Sequence, residues 1–293
     1  MPPLREERGT PSAAYSGKKG TLMNIDILFE NRDLVVCLKP AGVLSEQAQH
    51  GEMNMPELLR AHFAQNGEDC AAYPVHRLDM GTGGTMVYAK NKKTAAALSA
   101  AICAHETEKY YLAVVHGAPE PEAGSLRDLI YRRQELGKAF IADRPRRGVK
   151  EAVLSYTVLE TVQTAEGILS LLLIRLGTGR FHQIRVQFAS RRHPLAGDGK
   201  YGARDSLRHP ALWACRLVFP YRGRVRGFSA PPPEEEPWSF FSPQVIGRLF
   251  SAPPTDPPGN GLPIARAQNT RSLPDEGRRE PFSSLPVPKL TEE

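Results

Sequence analysis

Short apolar runs separated by turn-forming residues extend through the middle of the chain and predict a series of β-strands. They cover residues 25–29, 34–38, 110–115, 153–160, 168–176 and 217–219. Runs of this length, bounded by Gly, Pro, Asn or Asp, are typical of strands with at least one buried face.

Three segments instead place apolar residues at helical spacing. Residues 55–63 and the Ala-rich stretch 92–104 are the first two, and Asn91 is placed to cap the second. In the third, residues 181–190, Ile184 and Phe188 lie four positions apart and would anchor a helix to the core. Because strands outnumber helices without regular alternation, we expect an α+β fold with a mainly antiparallel mixed sheet and flanking helices.

The composition changes at both ends of this patterned region. Residues 1–24 and 253–293 are polar and aperiodic, and the second segment is rich in Pro. Such segments bury too little apolar surface to fold alone. We therefore expect a disordered N-terminal extension, one folded domain over residues 25–252, and a disordered Pro-rich tail.

Composition narrows the class of protein. The 293-residue chain is 41% hydrophobic and 24% charged, and it lacks the run of about 18 apolar residues that a membrane helix needs. The four cysteines are far apart and form no C-x-x-C pair, which argues against a zinc site or a disulfide framework. We expect a cytoplasmic protein with reduced thiols and no membrane contact.

The net charge of +6 permits nucleic-acid binding. Basic residues concentrate in three clusters, which are either solvated loops or contacts to phosphates. The clusters are residues 132–150 (Arg132, Arg133, Lys138, Arg144, Arg146, Arg147 and Lys150), Arg191-Arg192, and Arg222 to Arg226.

The residues most suggestive of chemistry lie in segment 76–85, His-Arg-Leu-Asp-Met-Gly-Thr-Gly-Gly-Thr. An isolated Asp beside Gly is usually a turn former, but here small residues leave the Asp79 carboxylate open to a ligand. A second Gly-rich turn leads into the helix that carries Arg185. An arginine close to Asp79 would lower its pKa and keep it ionised, as a nucleophile requires.

Four segments, in order, resemble the RluA-type pseudouridine synthases, which isomerise uridine within RNA. They are HRLD at 76–79 with Thr82, Gly84, Ala89 and Lys90 beyond it, KYYLAVVHG at 109–117, TGRFHQIRV at 178–186, and HPLAGDGKYG at 193–202. The similarity extends over about residues 25–232. It implies the pseudouridine-synthase-like catalytic fold and a reaction without metal or cofactor.

The resemblance also implies roles for individual residues. Asp79 would be the nucleophile, attacking either the uracil ring or the ribose C1′. Tyr111 would stack on the flipped base and assist proton transfer, Arg185 would pair with Asp79, and Arg77 would fill the gap left by the extruded uridine. The other residues expected to contact or orient the substrate are His76, Thr82, Gly179, Arg180, His182 and Gln183.

Several positions depart from the family pattern. Gly83 replaces a Ser, Phe181 replaces a Thr, Gln187 replaces a His, and Trp213 stands where a His is frequent. These departures bear on substrate choice more than on chemistry. We expect Asp198, the remaining candidate carboxylate, to be a turn former.

Three functions follow from these patterns. The first is a pseudouridine synthase that acts as a monomer on a stem-loop of ribosomal or transfer RNA. The second is an RNA-binding protein of the same fold that acts as an RNA chaperone with little or no catalysis. The third is a carboxylate hydrolase, which would need a second catalytic carboxylate beside Asp79. Because only 24 residues precede the first predicted strand, we expect the catalytic domain alone to recognise RNA.

Overall fold

The computed structural model describes residues 14–16, 22–165 and 167–251. The strands are β1 (Ala14–Ser16), β2 (Leu22–Asn24), β3 (Ile27–Glu30), β4 (Leu34–Lys39), β5 (Tyr73–Pro74), β6 (Gly83–Ala89), β7 (Glu108–His116), β8 (Ala123–Arg133), β9 (Lys138–Ala142), β10 (Lys150–Thr164), β11 (Gly167–Leu176), β12 (Leu212–Tyr221) and β13 (Arg224–Ser229). The helices are α1 (Met55–Gln65), α2 (Lys92–Cys103), α3 (Gln183–Ala189) and α4 (Pro243–Arg248), with 3-10 turns at Gly199–Tyr201 and Trp238–Phe240.

An 11-stranded sheet forms the body of the domain. Its order is β3-β4-β6-β12-β7-β11-β10-β8-β9, with β5 beside β6 and β13 beside β12. The β6–β12 pair is parallel and the other pairs are antiparallel. The predicted α+β class with a mainly antiparallel mixed sheet is confirmed.

Strand β7 shows how the sheet separates two cores. Tyr110 belongs to one apolar cluster with Trp238 and Phe241. Tyr111 belongs to the other, together with Ile184 and Phe188 of α3. Because side chains alternate along a strand, the chain places one tyrosine on each face. The face that holds Tyr111 also holds the candidate site.

The residues that precede α2 and α3 determine where these two helices begin. Asn91 caps α2 as predicted, and its Oδ1 accepts from the Thr94 amide at 2.9 Å. Helix α3 begins at Gln183, two residues later than the predicted segment, because His182 has a left-handed backbone with φ of 51°. That conformation turns the chain sharply into the helix.

The predictions for both chain ends concern residues that lie largely outside the described part of the chain. Within 1–24, β1 and β2 pair antiparallel. Residues 253–293 are outside the description, so the disordered tail stays a prediction. Among the described residues, no helix is long and apolar enough to cross a membrane.

Candidate active site

The ten predicted site residues all line one cavity of about 340 Å³. The loop between β5 and β6 supplies Asp79 and its neighbours, and β7 supplies Tyr111. The turn into α3 supplies the segment from Gly179 to Arg185. The sequence patterns therefore identified residues that are far apart in the chain and close in the fold.

The loop that carries Asp79 is fixed at three backbone positions. Ser45 Oγ donates to the Leu78 carbonyl at 2.8 Å and accepts from the Leu78 amide at 3.0 Å. Lys39 Nζ donates to the Met80 carbonyl at 3.1 Å. The Thr82 amide donates to the Asp79 carbonyl at 2.9 Å. Such contacts hold the carboxylate in place before a substrate arrives.

Lys39 is completely buried, and its ammonium also donates to the carbonyls of Pro40 and Val43. Burial lowers its pKa to about 7, although the charge of Asp79 opposes this shift. Sequence analysis did not identify Lys39 or Ser45. Their role depends on backbone carbonyls and amides of a distant loop, which no local pattern reveals.

The Asp79 carboxylate faces two nitrogen donors across the cavity floor. Arg185 Nη1 is 3.5 Å and His182 Nε2 is 3.7 Å from Asp79 Oδ2. Burial raises the pKa of Asp79, and the nearby Arg185 opposes this shift without reversing it. The expectation of a lowered pKa is therefore wrong in its net direction, although the contribution of Arg185 has the expected sign.

Arg185 makes its stronger pair with Asp198. Its Nε and Nη2 each lie 2.7 Å from one oxygen of Asp198, in a two-point contact that is fully buried on the Asp198 side. Asp198 does lie at a turn, as predicted, but its side chain has a second role. It fixes the guanidinium, and only Nη1 is left to face Asp79. The expected pairing of Arg185 with Asp79 is therefore the weaker of two contacts.

His182 reaches Asp79 from the turn that precedes α3. Its Nδ1 lies 3.0 Å from Tyr201 Oη, which already accepts from the Ala139 amide at 2.7 Å. This contact fixes the orientation of the imidazole and directs its Nε2 toward Asp79. Burial lowers the pKa of His182 to about 3, so the ring is neutral at pH 7.

Tyr111 and Lys109 enter the cavity from the same face of β7. Burial, with a smaller effect from the charge of Asp79, raises the pKa of Tyr111 well above its ordinary value. Its hydroxyl therefore stays protonated at neutral pH. Burial lowers the pKa of Lys109. Sequence analysis did not assign Lys109 to the site, although Lys109 lies in a matched segment. Its position two residues before Tyr111 on a strand places both side chains on the same face, and this spacing could have identified it.

Two of the predicted residues support the cavity wall through backbone contacts. His76 Nε2 accepts from the Val87 amide at 3.2 Å, and burial lowers the His76 pKa to about 3. Gln183 Oε1 accepts from Thr178 Oγ1 at 2.8 Å, and its Nε2 donates to the Val153 carbonyl at 3.0 Å. Both polar atoms of the Gln183 amide and Nε2 of His76 are engaged within the protein, so we expect these two residues to orient the site, whereas His76 Nδ1 is buried without a hydrogen-bond partner among the described residues.

Other predicted residues lie at the rim. The Arg77 side chain is 59% exposed and pairs with Glu46 at 2.8 Å. Arg180 Nε donates to the Glu151 carbonyl at 2.8 Å. An added Cβ at Gly179 would meet no atom within 4 Å, so this turn leaves open space over the cavity. The rim is therefore basic and accessible, whereas the floor is buried.

No group of three or more His, Cys, Asp and Glu side chains within residues 25–165 and 167–251 is arranged to hold a metal ion. His76 and His182 in particular have the separate hydrogen bonds described above. The chemistry available in the cavity is that of a partly buried carboxylate, a protonated phenol and fixed cationic and neutral donors.

A family model described as RNA pseudouridylate synthase matches residues 33–190. An uncharacterized RNA pseudouridine synthase of Aquifex aeolicus is 34% identical over 239 residues, covering 78% of this chain and 72% of the relative. The ribosomal large subunit pseudouridine synthase D of Zymomonas mobilis is 33% identical over 231 residues, covering 72% of this chain and 70% of the relative.

A Bacillus subtilis protein named as an uncharacterized RNA pseudouridine synthase is 34% identical over 185 residues. That match covers 62% of this chain and 59% of the relative, so the chain spans less than two thirds of its length. Among solved structures, human RNA Pseudouridylate Synthase Domain Containing 1 has a TM-score of 0.64 at 24% identity, covering 80% of this chain and 97% of that chain. This likeness concerns the fold.

Proposed function

Because this chain belongs to the RNA pseudouridylate synthase family of isomerases, we propose that it converts specific uridines of a structured RNA to pseudouridine. One observation carries the proposal. The Asp79 carboxylate lies on the floor of a cavity of about 340 Å³, with Tyr111 in the wall and fixed donors from Arg185 and His182. These are the groups that an Asp-based isomerisation of a flipped base requires.

The proposed reaction conserves the composition of the uridine, with one proton lost from C5 and one gained at N1. Asp79 attacks either the uracil ring or the ribose C1′, and the bond between N1 and C1′ breaks. The uracil then turns over within the cavity, and a bond forms between C5 and C1′. The C5 proton is released and N1 gains a proton, while the carboxylate is regenerated. The protonated phenol of Tyr111 stacks on the base and assists proton transfer.

The fixed cations support this sequence of steps. Asp198 holds the Arg185 guanidinium, so the positive charge near Asp79 does not depend on substrate. A preorganised charge of this kind favours the ionised nucleophile and stabilises charge that develops during the reaction. Arg77 lies at the exposed rim, and on binding it would exchange its exposed contact with Glu46 for the space that the extruded uridine leaves in its RNA.

The substrate is proposed to be a stem-loop of ribosomal or transfer RNA. The Zymomonas mobilis relative carries a ribosomal large subunit name, which favours ribosomal RNA. The loop between β9 and β10 exposes Arg144, Arg146 and Arg147, and Arg132 and Arg180 line the cavity itself. Cations at a base-sized cavity suit an RNA whose unpaired loop enters while its stem stays outside.

Release of tritium from RNA labelled at uridine C5 tests the activity, because the proposed reaction expels that proton. We expect release with the wild-type protein and matching pseudouridines in mapped RNA. A strain that lacks this protein should lose the same pseudouridines that its parent contains. RNA binding without tritium release, on total cellular RNA from such a strain, would instead support the RNA-chaperone alternative.

A further inference from the structure

Three side chains form a stack at the mouth of the cavity. The Phe181 and His182 rings are nearly parallel, with centroids 3.8 Å apart and an interplanar angle of 17°. Arg132 lies over the Phe181 ring with its Cζ 4.2 Å from the centroid. Two groups this close to one centroid cannot share a face of the ring, so Phe181 is enclosed between His182 and Arg132.

Each member of the stack is held by a different part of the fold. His182 is fixed by Tyr201 and is buried. Phe181 packs against an apolar cluster that includes Ile130 and Ala139, on the hairpin of β8 and β9. Arg132 is at the exposed end of β8 and lines the same cavity as Asp79. The stack therefore extends from the buried floor to solvent and ends on a guanidinium.

The neighbouring arginine shows that this placement is specific. Arg133 follows Arg132 on β8 and pairs with Glu135 at 2.8 Å in an exposed contact. Arg132 instead lies over an aromatic ring at the cavity rim. A guanidinium on a ring keeps its outer face available, and such a plane is one on which RNA bases stack.

We propose that Arg132, carried on Phe181, is a stacking platform for the base next to the uridine that enters the cavity. The inference rests on the proposed function and adds a specificity element to it. The occupant is an unpaired nucleobase, because the platform presents a flat cationic face beside a cavity that receives a single base. A phosphate would be bound by the charge alone and would not require the ring beneath it.

The platform depends on Phe181, a residue that departs from the family pattern. The family pattern has Thr at this position, between Arg180 and His182. A Thr side chain has no ring and would leave the Arg132 guanidinium without support. We therefore assign Phe181 as the positioning residue and Arg132 as the residue that contacts the RNA.

The test measures stacking directly and does not depend on turnover. The probe is an RNA hairpin with one uridine in its loop and 2-aminopurine beside it, on either side in two versions. In an Asp79→Asn background, binding should quench the 2-aminopurine fluorescence of one version. Arg132→Ala and Phe181→Thr should abolish the quenching and weaken binding by about 10-fold, the order expected for one stacked base.

The conservative variants separate stacking from charge. Phe181→Tyr keeps the ring and should restore quenching and affinity. Arg132→Lys keeps the charge but loses the planar face, so it should behave like Arg132→Ala. Arg127→Ala is the matched control, because Arg127 is an exposed arginine on the same strand that pairs with Glu151. It should leave quenching and affinity unchanged.

Two results would overturn the platform. One is an unquenched probe, in both versions, at saturating protein. The other is wild-type affinity and quenching in Arg132→Lys, which would make Arg132 a simple charge contact. Failure of the proposed isomerisation would show separately, as absent tritium release from every RNA by a protein that still quenches the probe.

Discussion

The cavity floor and the basic loop between β9 and β10 hold their charged groups in opposite ways. On the floor, Asp198 and Arg185 are buried and joined by two hydrogen bonds of 2.7 Å. In the loop between β9 and β10, Arg144, Arg146 and Arg147 are exposed. We propose that groups near the reacting atoms are fixed in advance, whereas exposed cations can adapt to a flexible polyanion.

This contrast separates the expected effects of mutation. Changes on the floor should alter the chemical step or the stability of the fold. Changes in the exposed loop should alter RNA affinity and its dependence on salt. Variants of each region test this division.

The largest effect is expected for Asp79→Asn. Asn is nearly isosteric but is a far poorer nucleophile, so single-turnover pseudouridine formation should be abolished. RNA affinity should change little, because the cations that surround the cavity remain. Substantial single-turnover activity in the purified variant would disprove the nucleophile assignment.

Asp79→Asn should also leave the protein at least as stable at pH 7. Burial raises the Asp79 pKa, so its contribution to stability is complete below the unfolded-state pKa and is lost as pH rises through the folded-state pKa. The amide of an asparagine at this position does not ionise, so the variant does not lose this stability as pH rises. Thermal unfolding checks this, and a clear fall in melting temperature would mean that the ionised carboxylate stabilises the fold.

The next effect is expected for the pair that holds the floor together. Removing one partner of a buried ion pair leaves an uncompensated charge and typically costs about 3–5 kcal/mol. Asp198→Asn and Arg185→Met should both lower the free energy of unfolding by an amount of this order. Urea unfolding measures it, with Asp79→Asn as the matched carboxylate control.

The two carboxylates thus provide an internal comparison. Both face Arg185, but Asp198 contacts it at 2.7 Å and Asp79 at 3.5 Å. Equal losses of stability in Asp79→Asn and Asp198→Asn would show that the geometry does not separate a structural from a reactive carboxylate.

Sequence patterns predicted which residues line the cavity better than they predicted how those residues contact one another. Asp79, Tyr111 and Arg185 are in matched segments, and all three line the cavity. The partner of Arg185 was assigned incompletely, because a carboxylate in a Gly-rich turn looks the same whether it caps the turn or binds an arginine. The support from Lys39 was missed, because its contacts depend on how β4 meets a loop 41 residues away.

Substitutions in the exposed loop between β9 and β10 test whether its cations contribute to RNA affinity. Replacing Arg144, Arg146 and Arg147 together with Gln should weaken RNA binding and flatten its salt dependence. Each lost phosphate contact should change the log–log slope by roughly 0.7–0.9. The chemical step at saturating enzyme should be unchanged. An unaltered affinity and salt slope would assign the phosphate contacts to the clusters at Arg191-Arg192 and Arg222 to Arg226.

The smallest effect is expected away from both regions, at two departures from the family pattern that contact each other. Gly83 and Trp213 are directly opposite in the parallel β6–β12 pair. A Cβ at Gly83 would lie 2.5 Å from Trp213 Cζ3, so the Trp ring leaves no room for the family's Ser. The two departures are therefore coupled in packing, because the missing side chain at Gly83 on β6 makes room for the indole of Trp213 on β12.

Gly83→Ser should therefore destabilise the protein by about 1–3 kcal/mol through overpacking. The same substitution in a Trp213→His background should be much less harmful, because the six-membered indole ring whose Cζ3 and Cε3 meet the new side chain is gone. Urea unfolding of the wild type, both single variants and the double variant gives the coupling between the two sites. We expect a coupling of about 1 kcal/mol or more, with catalysis by the double variant retained. Additive effects would mean that the β6–β12 contact adjusts to the serine without displacing Trp213.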